Sequence, residues 1–315
     1  MTAGWSMLSH ITPMTQRTPA AAVAFASFLA FLSTGNDADA FCRSTTCSGE
    51  CARDFDNCKM EGAPLYWDTS CVSFSIQEEG SEFIDIETIR NVAAFSVVEW
   101  SERECPGGGN ATMAFTTEDD VECRRAEYND GGANANVVMF QDYKWEYEGV
   151  DNTLAKTTVT YDTETGEILD SDMEMNHAYN EFTTVDDEVV YDLQSIMTHE
   201  FGHFIGLDHT PDFSATMNAG YQEGTVELRT IEDDDIAGLC AAYPPGREAK
   251  CIPTPKGGFT SECAGDPIAE DEGGCSVASG SVAGSTPDDP VDWAWLAGLG
   301  LLALGRRDRR SELAS

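Results

Sequence analysis

Positive charge is scarce in this chain: 18 lysines and arginines stand against 56 aspartates and glutamates among 315 residues, for a formal net charge of -38. Such a surface repels a phosphate backbone, which argues against nucleic acid as a partner. Histidine is scarcer still, with five in all. There is no internal repeat, and no apolar run reaches the roughly 20 residues of a stable membrane-spanning helix. What is present looks globular. Hydrophobic residues make up an ordinary 41%, enough for a sizeable core. The acid falls in short clusters (118–120, 186–188, 232–235 and 270–272) within a hydrophobically patterned chain. These read as a solvated surface suited to a salty medium, or in part as calcium ligands, rather than as disorder.

Both ends read as addresses. From Met14 to Ala40 the chain carries a single Arg17, an apolar run from Ala20 to Leu32, and Ala38-Asp39-Ala40 ahead of Phe41. That is the layout of a secretory signal peptide, so residues 1–40 are assigned to it, with Met14 a candidate for the true start. A buried core helix fits this run less well, because Gly35-Asn36-Asp37 follows directly. At the other end come Gly274-Cys275, an apolar stretch from Trp293 to Leu304, and then Arg306, Arg307, Arg309 and Arg310. The stretch is short for a stable span, and the arginines would hold its far end in the cytoplasm. It resembles the tripartite C-terminal sorting tag of myxobacterial exported proteins. That resemblance implies that Cys275 is a retained, lipidated attachment point and that residues 291–315 are a temporary membrane contact. An ordinary single-pass tail anchor is the alternative.

Eleven cysteines agree with export. Setting Cys275 aside leaves an even number, suited to up to five disulfides. Four of them (Cys42, Cys47, Cys51, Cys58) crowd the segment 41–61, which is too short for a core and reads as a stapled N-terminal clip. Cys105 and Cys123 bracket a glycine-rich loop and make a plausible local pair.

From Gly62 to Pro245 the pattern is that of a mixed α+β domain. Val72, Phe74 and Ile76 alternate as a half-buried strand. Residues 83–105 carry apolar side chains near helical spacing, and residues 136–143 are β-rich. Thr157–Tyr161 and Glu167–Met175 flank Thr163-Glu164-Thr165-Gly166 as a hairpin. Helices are expected over 191–205 and 232–242, the last stopping before Pro244-Pro245. Residues 246–290 turn to Gly, Pro, Ser and acid with two cysteines and read as a linker or a small stapled stalk.

Three of the five histidines fall in HEFGHFIGLDH, residues 199–209. On a helix, His199 and His203 are one turn apart, so both imidazoles can reach one metal at about 2.0–2.1 Å. Glu200 lies on the flank, where a carboxylate can take a proton from water that zinc has acidified and pass it to a leaving amine. Gly206 can adopt positive φ and turn the chain so that His209 becomes a third ligand. Three neutral histidines leave a position open, the mark of a catalytic zinc site. The bland reading, a buried helix with scattered polar residues, suits a bare HExxH better than the full HExxHxxGxxH.

HEFGHFIGLDH resembles the zinc motif of the metzincin proteases, and SATMN, with Met217 eight residues after His209, looks like their Met-turn. Tyr221 and EDDDIAGLCAAYPP resemble the matrixin branch. The resemblance implies a metzincin-like fold with a twisted mixed sheet, long helices, an active-site helix and a Met-turn. It also implies one catalytic Zn2+, endopeptidase activity on protein or peptide substrates, and Tyr221 on the pocket wall. It further suggests Asp234 or Asp235 beneath the Met-turn, and an edge strand that pairs with substrate, for which Glu167–Met175 is the candidate. There are departures: Thr210 follows the third histidine where serine is usual, no PRCGxPD-like cysteine switch is found, and His177 stands alone as an expected surface residue, so a second zinc is not expected. Calcium remains open as a further ion, and oligomeric state has no signal. The reading is a secreted or cell-surface zinc endopeptidase. Its rival is a catalytically silent zinc-containing recognition or adhesion module, and a third class is a disulfide-stapled surface protein whose motif is accidental.

Overall fold

Asp85 starts the first long helix. Its carboxylate accepts hydrogen bonds from the backbone N–H groups of Glu87 and Thr88, two of the donors that a helix N-terminus leaves open. Ile89, Val92, Ala93, Ser96, Val97 and Trp100 then recur on one buried face. Ser101 is extended and ends the helix, so the expected span of 83–105 contracts at both ends, as terminal turns do when caps rather than apolar spacing decide them.

The computed structural model describes residues 41–147 and 153–264. The signal segment, Cys275 and the tail with its apolar stretch lie outside these residues. Among the described residues no helix is long and apolar enough to cross a membrane. In chain order they form β1 (Cys42–Arg43), β2 (Cys71–Ile76), α1 (Ile86–Trp100), β3 (Ala114–Thr117), β4 (Val137–Phe140), β5 (Ala155–Tyr161), β6 (Ile168–Met175), β7 (Phe182–Thr183), β8 (Tyr191–Asp192), α2 (Leu193–Phe204), β9 (Leu207–Asp208) and α3 (Asp233–Ala242).

Five strands make one sheet in the order β3-β2-β4-β6-β5. All neighbours are parallel except β5, which returns antiparallel to β6 through the expected hairpin. The edge is therefore β5 and not Glu167–Met175, a correction with a visible cause. β6 is paired on both sides and nearly all buried, whereas every residue of β5 is half-buried.

Side-chain alternation sorts the sheet into two faces. Phe74, Val138, Phe140, Met173 and Met175 join the main core with Trp100, Phe201 and Phe204 from α1 and α2. The opposite face is covered as well, so β2 is buried along its whole length rather than half-buried. The cover is a strap, residues 246–264. Ser73 Oγ donates to Pro253 O at 2.6 Å, Asn134 Nδ2 donates to Lys256 O at 2.7 Å, and Phe259 packs on Val121, Val137 and Met139.

Five disulfides are present: Cys42–Cys58, Cys47–Cys51, Cys71–Cys251, Cys105–Cys240 and Cys123–Cys263. The clip is stapled to itself as its spacing suggests. Cys105 and Cys123 do not pair with each other; Cys105 reaches α3 and Cys123 reaches the strap. The glycine-rich loop closes instead through backbone bonds such as Cys105 N–H to Gly109 O at 2.8 Å. His177 is also corrected: its side chain is only 6% exposed, with Nδ1 3.2 Å from Asp142 Oδ1 and 2.8 Å from Ser81 Oγ, and its ring is packed near Phe83, Phe140 and Phe182.

Candidate metal centre

Asp192 caps α2 by accepting the Ser195 N–H at 2.8 Å. Arg229 holds the same carboxylate with two donors at 2.9 and 2.6 Å, a forked geometry that fixes orientation as well as charge. Trp100 Nε1 donates to Thr198 O at 2.8 Å and Trp67 Nε1 to Phe204 O at 2.9 Å. Both ends of α2 and its middle are thus tied to other elements, and the helix presents His199 and His203 on one side.

Gly206 then reverses the chain at φ 87°. An added Cβ there would lie 2.7 Å from Leu65 O, so close approach and backbone sign both require glycine. The turn feeds β9, which pairs with β1 of the clip, Cys42 opposite Asp208 and Arg43 opposite Leu207. His209 follows immediately.

The three imidazoles meet. Each pair of Nε2 atoms among His199, His203 and His209 is 3.1 Å apart. The other ring nitrogens are committed where it matters: His199 Nδ1 lies 2.6 Å from Thr216 O and His203 Nδ1 2.9 Å from Leu207 O. A carbonyl only accepts, so each Nδ1 carries the proton and each facing Nε2 keeps its lone pair. Burial, then the neighbouring His203 and His209, pushes His199 well below the usual imidazole range. Burial and then His203 push His209 down to about 4. With the Nδ1 atoms of His199 and His203 turned outward to carbonyls, three Nε2 atoms face one another, an arrangement that fits a cation. The centre of their triangle is about 1.8 Å from each nitrogen, close to a zinc–imidazole bond of about 2.0–2.1 Å.

Glu200 is 6% exposed. Burial raises its pKa, opposed by His203 and by hydrogen bonds with Thr157. Thr157 Oγ1 on β5 donates to Glu200 Oε2 at 2.6 Å. Thr157 has no local signature in the sequence, being one hydroxyl on a threonine-rich strand.

Under the histidines the chain bends at Met217, which is 2% exposed. Asp235 holds this bend by accepting the N–H groups of Thr216 and Met217 at 2.7 and 2.9 Å, which selects it over Asp234. Gly202 on α2 lies against the methionine: a Cβ there would sit 2.1 Å from Met217 Sδ and 2.9 Å from Trp100 Cζ2. Tyr221 OH accepts the Asp192 N–H at 2.9 Å and donates to Thr225 O at 2.6 Å. Tyr221, Tyr191, Ile196 and Leu228 line a hollow of about 400 Å³ that opens on His199, Glu200 and His209.

Among the described residues the only other gathering of three metal-capable side chains is Cys123, Glu127 and Cys263. Its two sulfurs are bonded to each other and offer no thiolate. All ten described cysteines are paired, so none of them is available to cap the histidines from within the clip.

Residues 66–244 match the family described as Matrixin. The chain is 40% identical to Metalloendoproteinase 1-MMP of Arabidopsis thaliana over 58 residues, 18% of this chain and 16% of that protein. It is 29% identical to Matrix metalloproteinase-C of Caenorhabditis elegans over 107 residues, 32% of this chain and 18% of that protein. With interstitial collagenase of Bos taurus it shares 41% over 58 residues, 18% of this chain and 12% of that protein. The chain thus spans less than a fifth of the length of these relatives.

Proposed function

The chain belongs to the matrixin family, and on that footing we propose that it is an exported zinc endopeptidase that hydrolyses peptide bonds in extracellular proteins. The observation that carries this reading is the set of three imidazole Nε2 lone pairs at 3.1 Å beside the buried carboxylate of Glu200. His199, His203 and His209 would hold the metal. Zinc, when bound, supplies Lewis acidity, polarising a scissile carbonyl and lowering the pKa of an attacking water.

The remaining work falls to the chain's own groups. Glu200 takes a proton from the water and gives it to the leaving amine, a double role helped by a carboxyl that burial makes more basic. Thr157 holds Oε2, which leaves Oε1 to exchange the proton. The free edge of β5 offers backbone donors and acceptors to an extended substrate. Tyr221 closes the wall of the hollow that receives a side chain next to the scissile bond, and Met217 forms the floor beneath the histidines.

On this reading residues 1–40 direct export, 41–61 form the clip, 62–245 the catalytic domain braced by the strap 246–264, and the rest of 246–290 the connection to the tail, with Cys275 and residues 291–315 serving attachment at the cell surface. The test compares the chain with its Glu200→Ala variant for bound zinc and for cleavage of a mixed peptide library at neutral pH. One zinc in both and cleavage only by the unsubstituted chain is the expected result. Zinc without cleavage in either overturns the protease in favour of a recognition module, and a folded chain without zinc overturns both.

A further inference from the structure

The hollow beside Tyr221 is one of two openings onto Glu200 and His209. The other is a basin of about 700 Å³ that reaches His203 as well. The two meet at Ala155 and Glu200, so a peptide bond placed over Glu200 has one flank in each. Val159 and Tyr161 of the edge strand form one wall of the basin, and Thr45, Gly49, Arg53 and Lys59 of the clip form the other. This second wall lies outside the family match, which begins at residue 66.

Its charge is opposite to that of the rest of the protein. In a chain with 56 acidic and 18 basic residues, the basin is bordered by Arg53, Lys59 and Lys156 and by a single carboxylate, Glu200. The three cations are not equal. Lys156 places its ammonium over the Tyr147 ring at 3.6 Å and follows the strand alternation away from Thr157 and Glu200, so it contributes little to the basin. Lys59 is 3.5 Å from Asp208 Oδ2, which offsets part of its charge. Arg53 donates Nη1 to a neutral carbonyl, Asn57 O, at 2.5 Å, and has no carboxylate partner among the described residues. Its guanidinium is exposed, and it stands across an antiparallel bridge from Lys59.

We propose that the clip is a specificity wall: Arg53, helped by Lys59, selects an aspartate or glutamate in the substrate on the side of the scissile bond away from the Tyr221 hollow. The proposal rests on the protease reading. A guanidinium presents paired donors that match a carboxylate, and in a surface that otherwise repels anions such a local patch discriminates by sign.

The experiment uses the full chain, the Arg53→Ala variant and the Arg53→Glu/Lys59→Glu variant, each checked for zinc content and melting temperature. A peptide library locates the preferred cleavage site, and peptide pairs with Glu or Gln at each position around it give the ratio of kcat/KM. A Glu preference of about tenfold at one position on the proposed side is expected, weaker at high salt, reduced in Arg53→Ala and replaced by a preference for Lys in the double variant. A ratio near one in the unsubstituted chain, or a ratio that charge reversal leaves unmoved, overturns the proposal. If the zinc-loaded chain cleaves nothing, the protease reading fails on its own, and fluorescence anisotropy with the same peptide pairs still decides the wall. A Glu-over-Gln affinity ratio lost in the double variant supports it, and equal affinities overturn it.

Discussion

The clip and the strap invite comparison because both lie outside the span of the family match, 66–244, and both are held by disulfides. The clip's bridges are local, with sequence separations of 16 and 4. The strap's bridges run back to the sheet across 180 and 140 residues. The clip pairs with β9 next to His209, while the strap covers the sheet face turned away from α2. Short loops restrict the unfolded chain less than long ones. The clip is therefore suited to shaping a site, and the strap to holding the fold.

The largest effect should come from the strap. Cys71→Ser/Cys251→Ser opens a 180-residue loop, and the chain-entropy estimate gives a loss of at most about 5 kcal/mol, read as a lower urea midpoint. Zinc per folded molecule should not change. Next is Cys42→Ser/Cys58→Ser, at about 3 kcal/mol for a 16-residue loop. Here zinc retention against a chelator should fall too, because Ser44 N–H bonds Gly206 O at 3.0 Å and Ser44 Oγ bonds Leu207 O at 3.1 Å, and Leu207 O also orients His203. If the strap variant lost zinc and the clip variant did not, the division of labour would be wrong.

Asp235→Asn sharpens the contrast by loosening the floor under the histidines without touching either appendage. It weakens three backbone hydrogen bonds, to Thr216, Met217 and Glu232, and should cost about 1–3 kcal/mol by denaturant titration.

The last contrast is a pH slope on the strap side. Burial, then the Asp172 charge, pushes Asp170 up to about 10, and burial pushes Asp172 up to about 7 against the N–H groups of Val137 and Glu127. In the unfolded chain both titrate near about 4. The folded state therefore holds its protons longer, and this pair's contribution is most favourable below about pH 4 and declines as pH rises, through about 7 for Asp172 and on to about 10 for Asp170. Asp170→Asn should flatten that decline in a plot of melting temperature against pH. An unchanged slope would show that the pair does not set it.

What could be read from the chain and what could not follows the range of the interactions. The histidine motif is local: helix spacing, a glycine with positive φ and a methionine lie within 19 residues, 199–217, so the meeting of the three histidines was legible. Helix starts were legible near 191 and 232, where Asp192 and Glu232 cap α2 and α3, but not at Asp85, because apolar spacing extends the first helix back to residue 83. The edge strand was not, because β6 carries Asp170, Asp172 and Glu174, polar residues that look solvent-facing until the strap covers them. Cysteine partners were hidden for a related reason. Nearness in sequence favoured Cys105 with Cys123, and only the sheet brings Cys123 to Cys263. His177 was misread because its partners, Ser81 and Asp142, come from distant turns.

Gly202 carries a last consequence. Glycine inside a helix costs about 1 kcal/mol relative to alanine, yet here the missing methyl sets the spacing between α1, α2 and the bend at Met217. Trp100 and the methionine sulfur converge on one hydrogen atom. Any drift in how the two helices cross would be transmitted to the bed of the histidines, so this position works as a gauge between scaffold and metal, and a residue one carbon larger would change its setting.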